Sequence, residues 1–244
     1  MVTLLGTFAA CRFRTFAAFR QHLWRQATAE DRPHLPRSLK SLALALRSST
    51  EGLLLLRRSK RAANLAELGV RLEDARDEVA RFAPPFAALL DRVSEGTAAL
   101  RAARGDDIAA ERAQIEWLLD HGRIDAALTL CREWPVSLAA SRLLPGEAIP
   151  GNYRTRKPFE TFLNVLGGDE RLSSEDVAPA HRPFLADPSF ASFGTAWSQV
   201  RDIRNDLSHA GYNDNSKPGN IFARDAEAAI REALDLAPLD PEDP

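Results

Sequence analysis

The chain has 244 residues, 45% of them hydrophobic and 27% charged, with a formal net charge of −2. That composition is ordinary for a globular chain and excludes an intrinsically disordered polymer or a uniformly basic nucleic-acid binder. No apolar run approaches the ~18–20 residues that cross a bilayer, and Leu53–Leu56 is followed at once by Arg57 and Arg58. Cys11 and Cys131 are the only cysteines. They are too few and too far apart for a zinc cluster or a disulfide framework, and they fit buried thiols in a reducing, cytoplasmic setting.

The charge is unevenly spread. Residues 1–61 carry 12 Lys/Arg against 3 Asp/Glu, and the remainder carries 20 against 31. A basic third beside an acidic remainder reads either as an electrostatic footprint for RNA or as a solvated face.

Helical periodicity dominates, with scarce β-branched residues and abundant Ala, Leu and Arg. The expectation is an all-α, multi-helix bundle with long loops between the last helices. The first helix is predicted at 13–27, within a basic N-terminal segment, 1–34. A second opens after Pro36 with Ser38 as cap and runs to about 47, and Ser48–Gly52 is expected to kink it. A third spans 62–80. Pro84-Pro85 is read as a break, followed by a helix over 86–104.

Gly105-Asp106-Asp107 opens the next helix, through 119, and His121-Gly122 ends it. A further helix over 124–134 closes at Pro135. The proline- and glycine-rich stretch 143–158 is predicted as a loop carrying Arg154, Arg156 and Lys157 beside Tyr153. A short helix over 159–166 stops at Gly167-Gly168, and 169–188 is polar and proline-rich.

The helix over 189–209 places Phe190, Phe193, Trp197, Val200, Ile203 and Leu207 three or four residues apart, so one face belongs to the core. Residues 213–219 form a turn and 221–236 a final helix, with a frayed tail over 238–244. Trp117, Trp134 and Trp197 are read as core rather than as base-stacking platforms. His121 is read as a helix-terminal charge, and His22, His34 and His181 as surface or packing residues. No glycine-rich phosphate loop follows a strand.

The chemistry concentrates in Arg204-Asn205-Asp206-Leu207-Ser208-His209. A guanidinium forks onto phosphate oxygens without losing its charge. An imidazole five residues later, ~7–8 Å along a helix axis, exchanges protons near neutrality. Arg201, one turn before Arg204, reads either as an added RNA contact or as an ion-pair partner of Asp202 or Asp206.

These residues resemble the signature of HEPN domains: Arg, commonly followed by a polar residue, then His after four to six positions. The helix pair at 113–134 and the run 203–211 are also similar to the C-terminal effector half of type III CRISPR-associated ribonucleases, which join a CARF sensor to a HEPN domain. The likeness covers roughly 105–236 and, more loosely, begins near 35, giving an expected effector domain over 35–237. No CARF-type α/β sensor is legible, so activation by cyclic oligoadenylate is not carried over.

The resemblance implies a metal-independent endoribonuclease that needs no cofactor and acts on single-stranded RNA by 2′-OH attack, in antiviral defence. It implies His209 as general acid or base, Arg204 as the phosphate-holding cation and Asn205 as an orienting amide. Arg201, Ser208, Arg154, Arg156 and Lys157 are weaker RNA-contact candidates. It also implies a homodimer with a composite active site. The alternatives are a HEPN toxin restrained by a separate antitoxin (or an effector served by a separate sensor protein) and a non-catalytic helical adaptor binding RNA or protein.

Overall fold

The computed structural model describes Arg25 and residues 38–56, 58–82, 84–103, 105–208 and 217–236. The predicted first helix (apart from Arg25), Cys11, His22, His34, His209 and the tail lie outside these residues. Among those described the architecture is all-α, with short 3₁₀ turns and no strand. They fall into two compact units, one up to Gly105 and one from Asp106. The expected effector segment, 35–237, spans that boundary.

In the first unit α1 (Leu39–Leu54) and α2 (Arg58–Phe82) form a hairpin. α3 (Pro84–Gly96) and the short α4 (Ala98–Ala102) follow. The core joins Leu42 and Ala45 to Leu68, Leu72, Ala75 and Val79, and to Leu90 and Val93.

Ser48–Gly52, where a kink is expected, does not interrupt the helix: α1 continues through it to Leu54. Those small residues lie against α2, where the Ser49 hydroxyl donates to the Asn64 carbonyl at 3.0 Å and Asn64 Nδ2 donates to the Ser48 carbonyl at 3.0 Å. Leu56, at φ 54°, makes the turn between the two helices. Ser38 occupies the N-cap position without capping. Its N–H and hydroxyl both donate to the Glu78 carboxylate, at 2.9 and 2.6 Å, tying the open end of the hairpin. The break expected at Pro84-Pro85 falls between two helices: α2 ends at Phe82 and α3 opens at Pro84, where a first-turn residue has no N–H obligation to lose.

The second unit opens with α5 (Asp107–Asp120), whose first N–H groups are capped by Asp106 at 2.9 and 3.0 Å. Gly122, at φ 67°, ends it. The N–H of Arg123 bonds the Leu118 carbonyl and that of Gly122 the Leu119 carbonyl, the paired closure that a left-handed glycine permits. His121 stacks on Trp117 with ring centroids 4.1 Å apart, and its Nδ1 lies 2.7 Å from the Trp117 carbonyl.

α6 (Ile124–Cys131) is followed by α7 (Trp134–Leu143), which is buried along nearly its whole length. Pro135 sits in the first turn of α7 instead of closing the helix before it. α8 (Tyr153–Leu166), α9 (Ala191–Ser208) and α10 (Gly219–Leu234) complete the unit. The Trp134 indole N–H donates to the Ala233 carbonyl at 2.8 Å and Arg112 donates to the Leu234 carbonyl at 2.8 Å, fastening α10 to α5 and α7. Trp117, Trp134 and Trp197 are all buried, as is the Cys131 thiol, whose pKa burial drives upward.

α8 is the largest departure from the expected loop over 143–158. Asn152 caps it by accepting from Thr155 N at 3.1 Å, and Pro158 lies inside the helix. The stretch over 169–188 is likewise structured. It folds into 3₁₀ turns whose side chains Val177 and His181 are buried, His181 stacking on Phe159. Burial lowers the His181 pKa and favours the neutral ring.

Candidate functional site

α9 presents Phe193, Trp197 and Val200 to the core at 1% exposure or less. Ile203 and Leu207 continue that face but are only half-buried, so the last turns of α9 emerge from the bundle. Arg204 and Asn205 ride on this emerging segment: Arg204 is half-buried and Asn205 exposed.

Two arginines one turn apart have opposite situations. Arg201 Nη1 donates to Asn164 Oδ1 at 3.1 Å, and its Nε donates to Asp202 at 2.9 Å. Asp169 lies 3.8 Å away and is itself held by Arg171 at 2.7 Å. Hydrogen bonds from Arg171 hold the Asp169 carboxyl well below the usual carboxylate range, so it stays anionic opposite Arg201. Arg201 is thus committed within the fold, the ion-pair alternative of its two readings. Among the described residues the Arg204 guanidinium makes no ion pair or side-chain hydrogen bond; only its carbonyl is engaged, accepting from the Ser208 hydroxyl at 2.9 Å. Ser208 is exposed, and its hydroxyl is turned back onto the helix. His209 lies outside the described residues.

Arg156 is a correction. It was expected on an exposed basic loop and is instead 7% exposed, inside α8. Nε donates to Glu133 Oε2 at 3.0 Å and Nη2 to the Glu133 carbonyl at 2.9 Å, while Nη1 reaches the Pro150 carbonyl and the Ser137 hydroxyl. Ser137 in turn donates to Glu111 at 2.7 Å. Helix formation turns Arg156 inward while Arg154 and Lys157 stay exposed, so a cluster of cations in sequence is not one in space. Lys157 lies 3.7 Å from Glu160. Arg154 and Lys157 belong to the first turns of α8, whereas Asn164, near its other end, meets α9. At ~1.5 Å per residue they stand ~10–15 Å before that junction, and the structure does not gather them at the Arg204 turn.

The sequence reading missed Asn164 and Asp169. Asn164 Oδ1 accepts from the Trp197 indole at 2.8 Å as well as from Arg201. No spacing signals it, because its partners lie on another helix; the only local hint is Gly167-Gly168, where α8 must end close to α9. A Cβ on Gly194 would sit 2.6 Å from the Leu166 backbone, which shows how tightly the two helices cross.

Among the described residues no three His, Cys, Asp or Glu side chains converge in a metal-holding group, and no helix is long and apolar enough to cross a membrane. Comparisons with models of known families, with curated proteins and with solved structures gave no match.

Proposed function

We propose that the chain is a metal-independent endoribonuclease of the HEPN type that cuts single-stranded RNA. The observation that carries the reading is the contrast on α9. Arg201 is spent within the fold, while Arg204, half-buried beside an exposed Asn205, has no anionic partner among the described residues. A partly desolvated guanidinium left without a counter-ion is suited to a phosphate oxygen, and its planar fork adds direction to charge.

In this reading the ribose 2′-oxygen attacks the adjacent phosphorus and the bond to the 5′-oxygen breaks. The products are a 2′,3′-cyclic phosphate and a 5′-hydroxyl, and no co-reactant is consumed. His209 takes the 2′-OH proton or supplies the leaving oxygen's proton. Arg204 stabilises the charge that builds on the non-bridging oxygens, and Asn205 orients the phosphate. Because one Arg–His pair is a sparse set, two copies meet across a twofold axis and share one cleft. An unpaired strand supplies the in-line geometry that a duplex denies. The cellular setting is antiviral defence, as the resemblance implies.

The test is incubation of purified protein with single-stranded RNA in EDTA, beside Arg204→Ala and His209→Ala. Cleavage that persists in EDTA, leaves cyclic-phosphate ends and vanishes in both variants is the expected result. Tight RNA binding without cleavage by the unaltered protein overturns it in favour of a non-catalytic adaptor. A copurifying small protein that arrests cutting identifies a toxin with its antitoxin.

A further inference from the structure

We propose that Asn164 is a positioning residue that sets the direction of Arg204, an inference that rests on the ribonuclease reading. One carboxamide oxygen accepts two donors from α9 at once, the Trp197 indole at 2.8 Å and Arg201 Nη1 at 3.1 Å. Those donors are four residues apart, so the bond pair brackets a full turn and fixes both the height and the rotation of α9. Trp197 is buried at 1% exposure, which anchors one end in the core. Arg201 is braced at the other end by Asp169 and Asp202.

Arg204 follows three residues later, where Ile203 and Leu207 are only half-buried and packing restrains the helix less than at Trp197 and Val200. Asn164 therefore supplies a directional restraint less than one turn before the reactive guanidinium. Arg201 carries that restraint. Asn164 itself has its backbone carbonyl bonded by Asp169 N–H at 2.9 Å, so the turn after α8 holds the clamp in place.

The experiment compares Asn164→Leu, which removes the acceptor, with Asn164→Asp, which keeps an oxygen in the same position. Should Asn164→Leu fail to fold, Asn164→Ser, whose hydroxyl is too short to span both donors, takes its place. Two readouts are used: steady-state cleavage of a single-stranded RNA, and the Nε–H resonance of Arg204 assigned through Arg204→Lys. The expected result is a fall in kcat of about 10-fold or more with KM unchanged, the signature of a misdirected rather than a missing group. The Arg204 resonance moves with it, and Asn164→Asp restores both. Unchanged kcat, or an Arg204 resonance that stays in place, overturns the proposal. If the unaltered protein cuts no RNA, the nuclease reading falls by itself, and the resonance still decides whether Asn164 directs Arg204.

Discussion

The Arg156 cluster and the last turns of α9 put the same side chain to contrasting uses. Arg156 sits inside the bundle with its donors distributed over Glu133, Ser137 and Pro150, and Ser137 extends the chain of bonds to the buried Glu111. Arg204 sits on a helix that is leaving the bundle, and its head group is uncommitted among the described residues. Both are arginines next to polar neighbours on helices. What separates them is where the helix rotation places the head group and whether a carboxylate waits there. A guanidinium already surrounded by acceptors contributes to folding, whereas one desolvated without them is available to a ligand.

The comparison is broken most directly at Arg156. Arg156→Leu removes the donors that serve the Glu133 carbonyl, the Pro150 carbonyl and the Ser137 hydroxyl, although Glu133 keeps Arg132 at 2.8 Å, and each buried acceptor left unsatisfied costs ~1–3 kcal/mol. Urea unfolding is expected to show that loss, whereas Arg204→Ala shifts the same transition by less than ~0.5 kcal/mol. The converse is expected for chemistry if the ribonuclease proposal holds: Arg204→Ala should lower the rate of RNA cleavage ~10²–10³-fold, as for removal of a single transition-state donor. If Arg204→Ala unfolds the protein instead, the division between a folding and a ligand-facing arginine is lost.

Gly194→Ala is expected to be next in size. A methyl placed against the Leu166 backbone forces α8 and α9 apart at a cost of ~1–3 kcal/mol, read by thermal unfolding. The exposed Lys157 offers the smaller contrast, since Lys157→Ala removes a surface pair worth ~0–1 kcal/mol.

The last prediction concerns acid. Asp169 has its pKa depressed in the folded chain, first by hydrogen bonding to Arg171, so its contribution is in place above the unfolded value of ~3.9. It drains away as pH falls below that value toward the lower folded one. Stability from pH 5 to pH 2, measured for the unaltered protein and Asp169→Asn, is expected to fall less steeply in the variant.

Much of the helical layout is legible because Leu, Ala and aromatic residues recur every three or four positions, and the buried face of α9 follows that rule from Phe193 to Val200. Prolines are less legible. Pro84 marks the boundary between α2 and α3 as expected, whereas Pro135 lies in the opening turn of α7, where no N–H is required, and Pro158 is carried inside α8. Arg156 reads as a loop residue because the prolines and glycines around it mask its place in the helical repeat of α8. Of the candidate site, Arg204 and Asn205 announce themselves through a local motif. Asn164 does not, since its importance comes from donors 33 and 37 positions further along the chain.

The indole of Trp134 reaches across 99 positions to the Ala233 carbonyl. A ribosome therefore emits nearly all of this unit before that bond has an acceptor. Until α10 arrives, the N–H of a tryptophan destined for 1% exposure stays wet, along with the apolar wall around it. Closure of this half of the molecule is consequently a late event in synthesis. A nascent chain halted before residue 233 presents that open wall to chaperones.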